Sequence, residues 1–168
     1  MKLSDFDHLR DDKRVSFKTE TVNRVSLTII SYAIADTEYW KKKHALETRG
    51  ITFRNDTGEC VCRPFEKFFN LGENNRTQEK DLNFDFATVK TKRDGSMLTP
   101  VLLKGEVFWK TKKSFYSGVA LEANQYAHSM PDFINDVKSI LELGLTPIFE
   151  YTSPNNRVVI DYGPDKAF

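Results

Sequence analysis

The chain has 168 residues, and its 25 basic and 24 acidic residues give a formal net charge of +1. This length suits one domain with a real core and is short for two. A net charge near zero excludes attraction to nucleic acid or to a membrane through a global field, so a polyanion must be held by a local cluster of cations.

The cysteines and histidines exclude further classes of protein. Cys60 and Cys62 are the only cysteines, and on one face of a strand they have a poor geometry for a disulfide, so we expect a reducing, cytoplasmic compartment. Two thiols and three scattered histidines are too few for a metal site, and none is predicted. No run of residues is apolar and long enough to span a bilayer, which predicts a protein without a membrane partner.

The first part of the chain predicts strands around an irregular segment. β-branched and aromatic residues favour strands at residues 25–34 and 50–53, and residues 36–46 favour a helical turn or an irregular loop. Residues 61–69 are a further strand candidate, in which Pro64 favours an edge or a bend.

The second part predicts strand pairs and one clear helix, after an exposed polar loop at residues 72–80. Lys104 and Gly105 predict a hairpin turn, and apolar residues at helical spacing predict a helix over residues 131–143 that Gly144 ends. Five strands are predicted, at residues 86–91, 96–103, 106–111, 147–151 and 157–162. The chain is therefore predicted to be α+β, with mostly antiparallel sheets and few helices.

One segment, Lys92-Arg93-Asp94-Gly95-Ser96, fits the KxDG pattern of a lysine that attacks the α-phosphate of a nucleotide. An ordinary lysine is a poor nucleophile, because its amine is protonated with a pKa of about 10.4. Such a lysine needs a site that favours the neutral amine. Taken alone, the segment also fits a charged hairpin turn, since Asp-Gly is a favoured pair in turns.

Several other segments favour the nucleophile over the simple turn. In chain order the set is SYAIADTEYW, ALETRGITF, RPFEKFFNLGEN, KRDGS and FEYTSPNNRVV. Together they resemble the adenylation domain of the ATP-dependent RNA ligases of the phage T4 RNA ligase 1 type, from about residue 31 to residue 162. The resemblance implies an ATP-grasp-like nucleotidyltransferase fold of the covalent ligase superfamily.

The same resemblance implies a chemistry and a set of site residues. Lys92 would become covalently linked to AMP, with ATP and Mg²⁺ as cofactors and with loss of pyrophosphate. Gly95 would let the backbone approach the nucleotide closely. The implied nucleotide-binding positions are Tyr32, Arg49, Lys67, Phe69, Asp94, Gly95, Lys112 and Glu150. The substrate would be RNA with a 5′-phosphate and a 3′-hydroxyl, and the family expectation is tRNA repair.

Individual roles follow for some of these positions. Arg49 matches an arginine that contacts the nucleotide or its phosphates, and Glu150 matches a glutamate that hydrogen-bonds the ribose. A glutamate buried between two aromatic residues would be costly without such a partner. Lys112 lies just past the strand predicted at residues 106–111. Alternation that continues to it places Lys110 and Lys112 on one face, where two ammonium groups can line a phosphate channel.

The family's adenylation domains continue past the glutamate strand with two further motifs and a C-terminal domain, which the sequence to Phe168 does not contain. We therefore expect residues 1–168 to be the N-terminal portion of such a domain: a fragment, a truncated protein, or half of a ligase completed by a complementary C-terminal chain. The alternative function is a catalytically incomplete module that binds nucleotide or RNA. DNA ligases and capping enzymes share the lysine motif, but the segments at residues 63–70 and 149–157 argue against them.

Overall fold

Two antiparallel sheets build the fold, and the computed structural model describes residues 1–85 and 87–168. The strands are β1 (Val15–Val22), β2 (Val25–Tyr32), β3 (Arg49–Arg54), β4 (Cys60–Cys62), β5 (Ser96–Leu103), β6 (Glu106–Lys110) and β7 (Phe149–Tyr151). The first sheet has the order β1-β2-β3-β4, and the second has the order β6-β5-β7. Every pairing within these sheets is antiparallel, which confirms the antiparallel sheets of the predicted α+β class.

Helices are few, as predicted. The α-helices are α1 (Thr37–Trp40), α2 (Gly118–His128) and α3 (Pro131–Glu142), and short 3-10 helices lie at Leu3–Leu9, Ala45–Glu47, Glu79–Asp81 and Pro154–Asn156. Ser117 caps α2, because its side chain accepts a hydrogen bond from the amide of Ala120. Among the helices of the described residues, none is long and apolar enough to cross a membrane.

Tight turns set the register of the two hairpins. Asn23 and Arg24 join β1 to β2 with φ values of 46° and 58°, and Lys104 and Gly105 join β5 to β6 with φ values of 51° and 84°. Two consecutive residues of positive φ form the turn that matches the twist of a hairpin. The predicted hairpin at residues 104–105 is therefore confirmed.

The two faces of the second sheet pack against different partners. Val101 and Leu103 of β5 pack with Leu27 and Ile29 of the first sheet in one buried cluster. The opposite face carries Trp109, which packs among residues of α2 and α3 in a second buried cluster. Odd-numbered residues of β5 therefore face the first sheet, since successive side chains on a strand alternate.

Two predicted strands are wrong where the structure describes them. Residues 87–91 form no strand, and Phe86 lies outside the described residues; Val89 is 97% exposed, so this stretch has no sheet to pack on. Residues 157–162 also form no strand, because the carboxylate of Asp94 binds two of their amides. The candidate at residues 61–69 is confirmed only at its start, since β4 ends at Cys62 before Pro64.

Candidate active site

One face of the second sheet carries two charged side chains toward the first sheet. Lys110 pairs with Thr99 and Glu150 pairs with Met97, and these two partners lie two residues apart on β5. Residues two apart on a strand share a face with each other and with their cross-strand partners. Lys110 Nζ donates to the backbone oxygen of Gly50 at 2.8 Å, so this face looks onto β3.

A cation–aromatic cluster lies beyond the end of β6, formed by Tyr32, Trp40, Lys67, Phe69 and Lys112. Lys112 Nζ lies 3.2 Å from the centroid of the Tyr32 ring, and Lys67 Nζ lies 4.3 Å from the centroid of the Phe69 ring. Trp40 joins the two halves, because its ring meets those of Tyr32 and Phe69 edge to face at 4.9 and 6.0 Å. Two ammonium groups are thus held on one continuous aromatic surface.

Positive charge is concentrated around Lys112. Partial burial, with the charges of Lys113, Arg49 and Lys67, lowers the pKa of Lys112 to about 8. Within the described residues no carboxylate forms an ion pair with Lys112, and the nearest ring partner is uncharged. An anion with several charges would relieve this repulsion, so the arrangement favours a polyphosphate.

A glycine lets Arg49 approach Lys112. Gly50 has a φ of +100°, and a Cβ there would lie 2.8 Å from the backbone oxygen of Lys112. Arg49 stacks its guanidinium on the Phe68 ring at 4.3 Å, and its Nη1 donates to the backbone oxygen of Glu66 at 3.5 Å. The backbone contact at Gly50 therefore brings the first and second sheets together beside two cations.

The Asp-Gly pair of the KxDG motif is anchored on β7. The amide of Gly95 donates to Oε1 of Glu150 at 3.0 Å. A Cβ at Gly95 would lie 2.2 Å from the backbone oxygen of Tyr151, so glycine is required here by the neighbouring strand. Glu150 is half-buried, and its Oε2 accepts no hydrogen bond from the part of the chain that the structure describes. One oxygen of Glu150 thus remains available for a ribose hydroxyl.

Asp94 fixes the segment that follows β7. Its Oδ2 accepts from the amides of Val159 and Ile160 at 2.7 and 2.8 Å, and its own amide donates to the hydroxyl oxygen of Tyr162 at 2.9 Å. The Ile160 and Val159 amides hold the pKa of the Asp94 carboxyl below its usual value. These contacts give Asp94 a structural role in the motif, and its contact with a nucleotide stays a prediction.

Lys92 itself lies on an exposed segment without regular structure, residues 87–94. Its amine makes no hydrogen bond or ion pair with the residues that the structure describes; its charge acts on Asp94. The other predicted site residues thus fall into two groups. One group is Tyr32, Arg49, Lys67, Phe69 and Lys112; the other is Asp94, Gly95 and Glu150.

The predicted pairing of Lys110 with Lys112 in a phosphate channel is wrong for Lys110. Its side chain is 0% exposed, and burial lowers the pKa of its amine. Lys110 is the last residue of β6, so its side chain enters the packed space between the sheets and reaches Gly50. Lys112 lies two residues beyond the strand, where the space opens.

A sequence model of the RNA ligase family matches residues 47–168, which is more than half of the chain. The chain belongs to the RNA ligase family. The resemblance to the T4 RNA ligase 1 type, predicted from five short segments, is confirmed. The matched range includes every predicted site residue except Tyr32, which lies ahead of it on β2.

Two relatives in the RNA ligase family are matched over only part of their own length. A putative RNA ligase of Thermovibrio ammonificans is 40% identical over 116 residues, which are 69% of this chain and 30% of the relative. The RNA ligase 1 of Bacteriophage TS2126 is 40% identical over 45 residues, which are 27% of this chain and 11% of the relative. The chain thus spans less than a third of the length of either relative.

Sequence reasoning missed two residues that shape this RNA ligase-family site. Trp40 was within a predicted turn or loop, and only its position near other aromatic residues in the fold shows that it links Tyr32 to Phe69. Glu20 is buried on β1, and its place two residues before the buried Val22 was the available signal of an inward side chain.

Glu20 holds the turn that carries Lys112. Its Oε1 accepts from Ser114 Oγ at 2.5 Å, and its Oε2 accepts from the amide of Phe115 at 2.8 Å. Lys18 Nζ completes the arrangement with an ion pair to Oε1 at 2.5 Å. Burial opposes the charge, but these three donors outweigh it and keep the pKa of Glu20 below its usual value. The first sheet therefore fixes the position of the turn after β6.

Proposed function

We propose that this chain is the nucleotide-binding part of an ATP-dependent RNA ligase in which Lys92 carries AMP. In this proposal the chain is the N-terminal portion of an ATP-grasp-like adenylation domain. ATP binds with its ribose at Glu150 and its phosphates at the cation–aromatic cluster and Arg49. RNA with a 5′-phosphate and a 3′-hydroxyl is the substrate, and tRNA repair is its proposed setting.

The observation that carries the proposal is the presence of two complementary groups, one on β7 and one just after β6, the two strands that flank β5. A carboxylate with a free oxygen lies beside the KxDG motif, and an unpaired lysine backed by Arg49 and Lys67 lies just beyond the end of β6. A hydrogen-bond acceptor for a sugar followed by cations for phosphates is the pattern that a nucleoside triphosphate requires. The family match independently supports a ligase.

Three transfers follow from this arrangement, each with a balanced exchange of bonds. The neutral amine of Lys92 forms a P–N bond to the α-phosphorus as the bond to pyrophosphate breaks, and the amine loses a proton. An oxygen of the RNA 5′-phosphate then forms a P–O bond to the same phosphorus, and the P–N electron pair returns to Lys92, which takes up a proton. Finally the RNA 3′-hydroxyl attacks the 5′-phosphorus, loses its proton and releases AMP.

Mg²⁺ is the proposed metal cofactor, but the described residues do not offer it a cage. Among them there is no group of three or more His, Cys, Asp or Glu side chains placed to hold a metal ion. Protein-bound Mg²⁺ commonly relies on one or two carboxylates together with the oxygens of substrate phosphates. No step above is therefore assigned to a metal held by this chain.

Intact mass spectrometry tests the covalent step. The chain is incubated with ATP and Mg²⁺, and an added mass of AMP is expected on wild type and on Lys90→Ala but not on Lys92→Ala. Lys90 is the matched control, because it is an exposed lysine of the same irregular segment. Peptide mapping would place the adduct on Lys92, and acid treatment would remove it, as a phosphoramidate requires. An adduct that survives Lys92→Ala would refute the assignment.

The exposure of Lys92 favours one second candidate, a module that binds nucleotide or RNA without becoming adenylated by itself. Its amine lies on an irregular segment, whereas the cation–aromatic cluster is already assembled. This candidate predicts saturable ATP binding that Lys112→Ala weakens, with no AMP adduct. Adding the C-terminal part of a relative as a separate chain would restore the adduct if the chain is half of a split enzyme. If ATP binding is also absent, this candidate fails.

A further inference from the structure

A cleft of about 490 Å³ opens beside the cation–aromatic cluster, and no residue of the KxDG motif lines it. Trp40 and Phe69 belong to both the cluster and the cleft, so the two are continuous. Its other lining residues come from the start of α1, from Lys41 and Leu46 after that helix, and from the loop at residues 73–76. None of the predicted site residues except Phe69 lines it.

The chemistry of the cleft is that of a single nucleotide. Trp40 and Phe69 supply aromatic walls, Asn74 and Asn75 supply amides, and Arg76 supplies a guanidinium. Bases stack on aromatic side chains, and cations beside them bind the phosphates of a single strand. The volume also falls within the range of small-ligand sites, about 300–1,000 Å³.

The acidic residues of the cleft are neutralised from outside it. Asp36 is paired with Arg14 at 2.8 Å, and Glu73 is paired with Lys67 at 3.3 Å. Arg76 uses its backbone amide to bind Asn74, and its guanidinium makes no ion pair with the residues that the structure describes. Lys41, the other cation of the lining, is paired with Glu38 at 2.6 Å, so the cleft presents one unpaired charge, the guanidinium of Arg76, to an incoming strand.

We propose that this cleft binds the 5′-terminal nucleotide of the phosphorylated RNA strand, with the base against Trp40 and Phe69. The inference rests on the proposed function. Displacement at a phosphorus places the entering and leaving groups roughly in line. In the proposed function pyrophosphate leaves toward the cation–aromatic cluster, so the RNA 5′-phosphate must attack AMP from that same side, opposite Lys92. The nucleoside attached to that phosphate then extends past the cluster into the cleft.

Adenosine of ATP is the competing occupant, and the geometry disfavours it. The free oxygen of Glu150, proposed to bind the ribose, lies beside Gly95 at the motif end of the sheet face. If the base of ATP occupied the cleft, its ribose would lie at the Trp40 end of the cluster instead. ATP and RNA thus give opposite outcomes in a direct binding test.

Tryptophan fluorescence provides that test, because the chain has two tryptophans and Trp109 is 1% exposed within the core. A short 5′-phosphorylated RNA is expected to quench Trp40, the same RNA with a 5′-hydroxyl to bind at least several-fold more weakly, and ATP to cause little quenching. In Trp40→Phe the quenching by RNA should disappear, because the remaining Trp109 is buried, and anisotropy of a labelled strand measures RNA binding independently of the tryptophans.

Arg76→Ala is the decisive variant, and Lys80→Ala is its matched control. Both side chains are exposed and lie in the same polar region, but Lys80 does not line the cleft. Arg76→Ala should weaken binding of the 5′-phosphorylated RNA about five- to tenfold, and Lys80→Ala less than about twofold. Equal losses in the two variants, quenching by ATP as strong as by RNA, or no binding of RNA would each overturn the subsite.

The AMP adduct is a separate measurement on the same wild-type chain. An adduct without Trp40 quenching by RNA would leave the proposed function standing and reject the cleft. Quenching that depends on the 5′-phosphate and on Arg76, without an adduct, would support the cleft and reject adenylation by the chain alone.

Discussion

The surroundings of the Lys112 amine favour the binding of a polyanion. Its ammonium lies on the Tyr32 ring, is partly buried, and is repelled by Lys113, Arg49 and Lys67. Partial burial and the three neighbouring cations disfavour the charged form of the Lys112 amine when no anion is bound, so the pKa of Lys112 falls to about 8. Phosphate oxygens reverse the balance by adding opposite charge, and binding then draws a proton onto the amine.

A pH dependence of ATP binding follows from this shift. Below pH 8 the Lys112 amine is protonated before ATP arrives, and above pH 8 binding must bring in a proton. We expect ATP affinity to fall between pH 7 and pH 9.5 and the decrease to be smaller in Lys112→Gln, as measured by calorimetry. At pH 7, Lys112→Gln should weaken binding roughly tenfold, which equals about 1.4 kcal/mol.

Lys113→Gln is the control for this prediction, since Lys113 is exposed and precedes the same turn. It should lower affinity far less at pH 7, and because the charge of Lys113 helps to lower the pKa of Lys112, the fall in affinity should move to higher pH rather than disappear. If Lys112→Gln and wild type lose affinity in parallel as the pH rises, the titrating group lies elsewhere.

The turn after β6 depends on an element that is distant in the sequence, β1. The Glu20 carboxylate receives Ser114 Oγ and the Phe115 amide, so the first sheet positions the segment that holds Lys112. Hydrogen bonds to a charged group contribute more than those between neutral groups. This contact therefore links the stability of the turn to the shape of the anion site.

Replacing Glu20 should loosen that turn. In Glu20→Gln one acceptor becomes an NH₂ donor facing other donors, and we expect the free energy of unfolding to fall by about 1–3 kcal/mol in urea denaturation. ATP affinity should fall as well, because Lys112 loses its fixed position. Glu106→Gln, an exposed carboxylate on β6, should change neither quantity. A stable Glu20→Gln with normal affinity would show that the turn holds without the carboxylate.

The elements that sequence reasoning predicted well are those with strong local signals. β5 was predicted with its observed bounds, and Gly144 follows α3 closely, with a φ of +76°. β1 was missed because polar residues fill most of it, and α2 was missed because its buried positions are small alanines. These two elements are recognised by what they pack against, which a single sequence does not reveal.

The candidate site was predictable in its membership but not in its geometry. The motif and the resemblance named Lys92, Arg49, Lys67, Lys112 and Glu150 as one site. Local patterns could not show that Lys92 lies on an exposed irregular segment, or that the other four divide into two groups. Those facts depend on how two sheets meet, which involves pairs of residues far apart in the chain.

At the scale of the whole molecule, the contact between the sheets includes one buried charge. Lys110 enters from the second sheet and donates to the backbone oxygen of Gly50 in the first, beside Arg49. Burial is the largest cause of its lowered pKa, and the charges of Glu20 and the cysteines only partly oppose that effect. The folded state thus binds a proton at Lys110 less readily than the unfolded chain does.

This difference predicts that the fold becomes more stable as the pH rises through the alkaline range. Where the unfolded state binds more protons than the folded state, the free energy of unfolding increases with pH. The increase from Lys110 should begin above its lowered folded pKa and end near the unfolded value of about 10.4. Urea denaturation at pH 7 and at pH 9.5 should show a larger free energy of unfolding at the higher pH.

Lys110→Met isolates this contribution, because methionine keeps an unbranched apolar stem and removes the amine. The gain in stability between pH 7 and pH 9.5 should shrink in Lys110→Met and persist in Lys80→Met, whose lysine is exposed. ATP affinity should also fall in Lys110→Met. The Gly50 oxygen loses its donor, and Arg49, which is directly before Gly50 in the chain, then loses its fixed position. If Lys110→Met retains the full gain, another group is responsible for the rise in stability with pH.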